Sequence, residues 1–116
     1  MIKNYLRTIY ISKQVSHLVN FLSYPWKGKA AILMYHRVLP DEKIKEDLDL
    51  GLAVSCSNFE KQIKTLKSKY KIVSIDELIN NLKEGINKFM IAITFDDGYK
   101  DNLSCALPIL EKYQVP

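Results

Sequence analysis

Apolar residues recur along this chain in two rhythms. Ala30–Tyr35 (AAILMY) is an unbroken apolar run of strand length, the pattern of a strand covered on both faces of a parallel sheet. Residues 71–73 (KIV) and 89–95 (FMIAITF) predict two further strands. Between them the apolar spacing lengthens to three and four. Phe59, Ile63 and Leu66 predict a helix reaching about Lys69, and Leu78, Ile79 and Leu82 predict a second. Ser57 with Glu60, and Ser74 with Glu77, have the spacing of capping boxes that would open these helices. Gly85 suits the left-handed position that ends the second one. Asp101 or Asn102 can cap a last helix through Leu103, Leu107 and Leu110, which Pro108 bends or restarts.

Residues 2–22 also show helical spacing, with Ile2, Tyr5, Leu6 and Ile9 in one stripe and Val15, Leu18, Val19 and Leu22 in another. The stripes lie roughly 220° apart on one straight helix, so a break near residues 12–14 would let two short helices share a face. Tyr24, Pro25, Trp26, Lys27 and Gly28 read as a linker. Residues 39–50 are charged, lack a period, and predict a long surface loop. Strand and helix thus alternate three times after a helical start, which predicts an α/β domain with about three parallel strands joined by right-handed crossovers. The expected division is a basic amphipathic helical segment and linker over residues 1–29, and the α/β domain over residues 30–116. Three strands make a thin sheet with a bare edge. Gln114, Val115 and Pro116 stand where a fourth strand would begin, so the chain reads as the front portion of something larger.

A chain of 116 residues suits one small domain, and 47% hydrophobic with 26% charged residues excludes a disordered class. Cys56 and Cys105 have neither metal-motif spacing nor disulfide-scaffold density and read as reduced small residues of the core. No run of apolar residues is long enough for a membrane-spanning helix. His17, Asn20 and Ser23 interrupt the N-terminal apolar pattern and no small-residue cleavage site follows, which fits a signal peptide poorly; the cytoplasm or a membrane surface is compatible with this, but the sequence does not fix the compartment.

Charge is uneven. Residues 1–40 carry Lys3, Arg7, Lys13, Lys27, Lys29 and Arg37 and no acid, a net +6, whereas residues 41–116 carry 11 basic and 13 acidic residues. Residues 1–26 would then lie on an anionic membrane surface or a partner, or pack on their own domain. Nucleic acid is a weaker partner, because the basic stretch contains no recognised motif.

Candidate chemistry gathers in IAITFDDGYK, residues 91–100, where a strand delivers Asp96 and Asp97 to one spot. Ligands of parallel α/β folds collect at the carboxyl ends of strands. His36 ends the first strand, so it can converge with the aspartates on one rim. A carboxylate and an imidazole suit a divalent metal, and a second carboxylate can act as base toward a water. Gly98 lets the chain turn sharply, so neighbouring side chains need not point oppositely. The plainer alternative is a solvated Asp-Gly turn beside a structural histidine. His17 reads as an ordinary helix-surface residue. An aspartyl phosphatase would need an acid at Phe95, and a phospho-receiver pairs its acids after its first strand, so neither pattern fits.

In order, ILMYHRV (32–38), SNFE (57–60), ITFDDGY (93–99) and LPIL (107–110) resemble the polysaccharide deacetylase family, the NodB-homology domain of carbohydrate esterase family four. The resemblance covers about residues 30–116. It implies the opening part of a distorted (β/α)7 barrel and the removal of acetyl groups from N-acetylated sugars of a polysaccharide. By that resemblance Asp96 is the general base and Asp97 a ligand of a divalent metal, usually zinc. His36 belongs to a variant of the family in which it lies near the site. The family's remaining metal ligands come from a later H-x-x-x-H pattern, and this chain has no histidine after His36. The oxyanion donor and the histidine acid of the family are missing as well. Three protein ligands are the usual catalytic minimum, so the 116-residue chain alone is expected to be inactive. The competing reading is a non-catalytic remnant or docking module with a vestigial aspartate pair.

Overall fold

The structure, a computed structural model, describes residues 6–10, 30–46, 51–85 and 88–116. Six strands are present among them: β1 (Leu6–Tyr10), β2 (Ala30–Tyr35), β3 (Arg37–Leu39), β4 (Ala53–Ser55), β5 (Lys71–Ile72) and β6 (Met90–Phe95). The helices are α1 (Cys56–Lys69), α2 (Ile75–Lys83) and α3 (Leu107–Lys112), with a 3-10 turn at Asp41–Glu46 and a π turn at Asn102–Ala106. The main sheet has the order β1-β2-β6-β5, and every pair in it is parallel. β3 and β4 form a separate parallel pair.

Alternation of side chains across β2 and β6 divides the core into two layers. Ala31, Leu33, Tyr35 and Ile91 join Phe59, Ile63 and Leu66 of α1 on one face. Ala30, Met90 and Ala92 join Val73 and Leu78 on the face covered by α2. The unbroken apolar run of β2 follows from this position, because both of its faces are covered and both of its edges are paired. Tyr35 is buried between the ring of Phe59, edge-on at 4.9 Å, and that of Phe95, stacked at 5.7 Å. Its hydroxyl donates to Gln62 Oε1 at 2.7 Å, which spares the core a dry phenol costing about 1–3 kcal/mol. Burial pushes the Tyr35 hydroxyl far above its ordinary pKa, so it remains a donor.

The helix expected over residues 2–22 is not what its described portion forms. Leu6–Tyr10 is a strand, paired in register from Leu6 with Ala30 to Tyr10 with Met34. Local spacing in LRTIY allows either structure, but Thr8, Ile9 and Tyr10 favour extended backbone. The edge of β2 then decides, because it would otherwise leave a row of backbone groups unpaired. The sheet therefore has four strands where about three are expected, and β1 joins it across the expected boundary at residue 29. Residues 2–5 and 11–22 of the expected helix, with His17 and most of the basic segment, lie outside the described residues.

Other differences are local. The loop expected over residues 39–50 holds the 3-10 turn Asp41–Glu46, and its start is the end of β3. Ser55, not Ser57, caps α1, its hydroxyl accepting from Asn58 N at 3.3 Å. Ser57 sits in the first turn, where its N–H donates to Asp41 Oδ1 at 3.0 Å. Ser74 caps α2 as expected, accepting from Glu77 N at 3.2 Å, and Gly85 follows that helix at φ 71°. Pro108 restarts the last helix, standing in its first turn.

α3 is tied to α1 by charge as well as by apolar contact. Lys112 Nζ donates to Glu60 Oε1 at 2.6 Å and Tyr113 Oη donates to the same oxygen at 3.0 Å, while Lys67 Nζ donates to the Tyr113 carbonyl. Lys112 first, then Tyr113, holds the Glu60 carboxyl below the usual carboxylate range, and Glu60 raises Lys112.

Two predictions follow from these contacts. Ser55→Ala should cost about 0.5–2 kcal/mol in urea denaturation, and Ser57→Ala less than about 0.5 kcal/mol; the reverse ranking would return the cap to Ser57. A carboxyl with a depressed folded pKa stabilises above its unfolded pKa, about 4.3, and that contribution is lost as pH falls through the folded value. Denaturation midpoints should therefore drop between about pH 5 and 3, and Glu60→Gln should flatten that drop; an unchanged slope would deny the contact a role.

Candidate functional site

Because β2 and β6 are adjacent and parallel, with Tyr35 opposite Phe95, the chain leaves both strands at the same rim. His36 and Asp96 are the next residues, and the Asp96 N–H donates to the Tyr35 carbonyl at 2.8 Å, extending the ladder one step past the strands. The anchored Tyr35 thus sets the height of both exits. His36 is buried, Asp96 half-buried and Asp97 exposed. His36 Nε2 lies 3.9 Å from Asp97 Oδ2. That is too long for a hydrogen bond and close enough for an electrostatic contact whenever the imidazole is protonated.

The turn that presents the aspartates is left-handed at two successive residues, Asp97 at φ 67° and Gly98 at φ 60°. Freedom at Gly98 is expected from the sequence; a left-handed Asp97 is not. For a residue with a Cβ this conformation costs roughly 1–2 kcal/mol, eased at aspartate by local hydrogen bonding. The consequence is directional, since the turn sends Asp97 toward His36 instead of continuing the alternation of β6.

Five further residues brace the rim. Arg37 Nε and Nη2 each reach Asp101 Oδ2 at 3.0 Å, and Asp101 Oδ1 accepts from Val38 N at 3.1 Å. The Arg37 guanidinium also lies 4.7 Å from the centroid of the Tyr99 ring. Asn102 Nδ2 donates to the His36 carbonyl at 3.1 Å. Asp101 stands where it was expected, at the start of the last helical run, but its side chain makes no cap; its carboxylate is taken by Arg37 and Val38. A half-buried guanidinium–carboxylate pair with a backbone donor on the second oxygen holds position better than an exposed cap. The sequence signal for this brace is Arg37 directly after His36.

Donor chemistry decides how far the site suits a metal. Tetrahedral ligands about 2.0–2.2 Å from zinc stand roughly 3.4 Å from each other, so an imidazole and a carboxylate at 3.9 Å match in kind and nearly in spacing. They do not match in number, because among the described residues no group of three His, Cys, Asp or Glu side chains could hold one ion. The expected metal site is therefore incomplete in these residues.

The turn itself can be tested apart from any chemistry. Asp97→Gly should be more stable than Asp97→Ala by about 1 kcal/mol in thermal or urea denaturation, as only glycine takes the left-handed conformation freely; equal stabilities would mean that the turn does not need it.

No family model matches the chain, and no curated protein matches it. Among solved structures, the Streptococcus pyogenes deacetylase PplD in complex with acetate is similar at 29% identity and a TM-score of 0.59. The likeness covers 72% of this chain and 38% of that one. The chain therefore has part of a deacetylase-like α/β fold and spans less than half the length of that relative.

Proposed function

We propose that this chain bears the base-and-ligand turn of a metal-dependent hydrolase that removes acetyl groups from N-acetylated sugars of a polysaccharide. The observation that carries the proposal is the convergence of Asp96, Asp97 and His36 on one rim, with 3.9 Å between the imidazole and the second carboxylate. The likeness to a deacetylase, whose solved complex holds acetate, supports the same reaction class. The described strands then correspond to the start of the distorted (β/α)7 barrel.

Each residue has a role in this reading. Asp96, held at the strand end by its own N–H and half-buried, is the general base that takes a proton from the attacking water. Asp97 and His36 supply two donors toward a divalent ion, by the family resemblance zinc, and at least one more donor is required beyond the described residues. Arg37 and Asp101 keep the two rim segments in place.

A second reading rests on that same shortfall. With two donors and no third among the described residues, the rim is on this reading a remnant, and the chain a docking module that uses its basic N-terminal segment on an anionic membrane or a partner.

One experiment separates the two. The protein isolated at its native length is assayed for acetate release from a chitin oligomer and from N-acetylated peptidoglycan, with zinc or cobalt added. On the enzyme reading acetate appears, Asp96→Asn lowers kcat by roughly 10²–10⁴ with little change in KM, and the 116-residue chain alone releases none. No acetate at native length, or an undiminished Asp96→Asn variant, would leave the remnant reading standing.

A further inference from the structure

Tyr99 stands at the rim with no part in the chemistry assigned to Asp96, Asp97 and His36. Its backbone is fixed, because the Asn102 N–H donates to the Tyr99 carbonyl at 3.1 Å. One face of its ring is fixed as well. The Arg37 guanidinium lies over it, 4.7 Å from the centroid, and Asp101 holds that guanidinium through Nε and Nη2 at 3.0 Å each. Tyr35 and Tyr113 spend their hydroxyls on Gln62 and Glu60, whereas the Tyr99 hydroxyl has no hydrogen-bond partner among the described residues. The side chain is half-buried and stands beside Arg37, the residue after His36, three positions on from Asp96.

We propose that Tyr99 is a sugar-binding residue, its ring the platform on which one pyranose of the N-acetylated substrate lies next to the rim. The identity of the ligand rests on the deacetylase reading. A pyranose is amphipathic, with C–H bonds grouped on its faces and hydroxyls around its edge. The C–H face suits the negative face of an aromatic ring, and the edge hydroxyls suit the unspent phenol oxygen. Ligand sites combine aromatic lining of this kind with a few placed polar groups.

Arg37 gives the platform two properties. It occupies one face of the ring, which directs the sugar to the other. It also keeps the ring from turning, so little conformational freedom is lost when the sugar binds. A tyrosine without such backing, directly after the left-handed Gly98, would have to be ordered by the ligand itself. Asp101 therefore serves the substrate through Arg37 as well as bracing the rim.

The test measures binding apart from turnover. The protein at its native length is titrated with a chitin oligomer, followed by saturation-transfer NMR and calorimetry, and acetate release is assayed in parallel. Expected is saturation transfer to the axial C–H protons of the sugar, with Kd raised about tenfold in Tyr99→Ala and Tyr99→Leu and only about threefold in Tyr99→Phe. Tyr99→Leu keeps apolar bulk, so its loss reports the ring and not the packing. KM should follow Kd in these variants while kcat changes by less than about twofold. Wild-type protein that does not bind the oligomer, or Tyr99→Leu that binds it as wild type does, would overturn the proposal. The two readings fail separately. Acetate release with Kd unmoved in Tyr99→Leu removes the platform and keeps the hydrolase, whereas a raised Kd without acetate release keeps the platform and removes the hydrolase.

Discussion

The structure turns on the pairing of β2 with β6 and on the one side chain that anchors it, Tyr35. Its ring is gripped between Phe59 of α1 and Phe95 of β6, and its hydroxyl finds Gln62 in an otherwise apolar layer. Each aromatic pair is worth about 0.5–1.5 kcal/mol beyond the area it buries. The backbone carbonyl of the same residue accepts the N–H of Asp96. Core packing and rim geometry are therefore joined at a single residue: what locks Tyr35 also locks the point from which His36 and Asp96 leave the sheet. Gln62 Nε2 remains without a partner among the described residues, a residual cost of placing a phenol there.

Above that anchor the protein accepts local strain for direction. A regular continuation of β6 would send Asp96 and Asp97 to opposite faces. The left-handed Asp97 and Gly98 break the alternation and bring Asp97 toward His36. Such conformations persist where the surroundings over-determine them. Here the surroundings are the ladder below and the Arg37–Asp101 pair beside, with Tyr99 under the guanidinium and Asn102 on the His36 carbonyl. The rim is held from three directions, although its second aspartate stands in water.

Much of the fold was legible in the chain because its strands differ in kind from its helices. The apolar run of Ala30–Tyr35 reads as a strand covered on both faces and the run ending at Phe95 as another strand, and both form strands. Ser74 and Gly85 marked the ends of their helix through local backbone chemistry, so they stood where expected. β1 was not legible, because Leu6–Tyr10 carries a spacing that serves helix or strand, and only the unpaired edge of β2 distinguishes them. Ser57 was mistaken for a cap for a similar reason: two serines and an asparagine crowd the start of α1, and the short strand β4 assigns the cap to Ser55.

The candidate site divides in the same way. By itself, the sequence determined which groups reach the rim, since parallel strands all end on one side and His36, Asp96 and Asp97 follow strand ends directly. It determined also that the third donor of a metal site is not among its histidines. Only the tertiary structure decided that β6 lies directly beside β2, that Asp97 bends toward His36, and that Arg37 is spent on Asp101. The reason is range. Periodicity and capping act over a few residues and are written in adjacent letters, whereas strand order and side-chain partnership are settled by packing between segments tens of residues apart, where many pairings share the same local pattern.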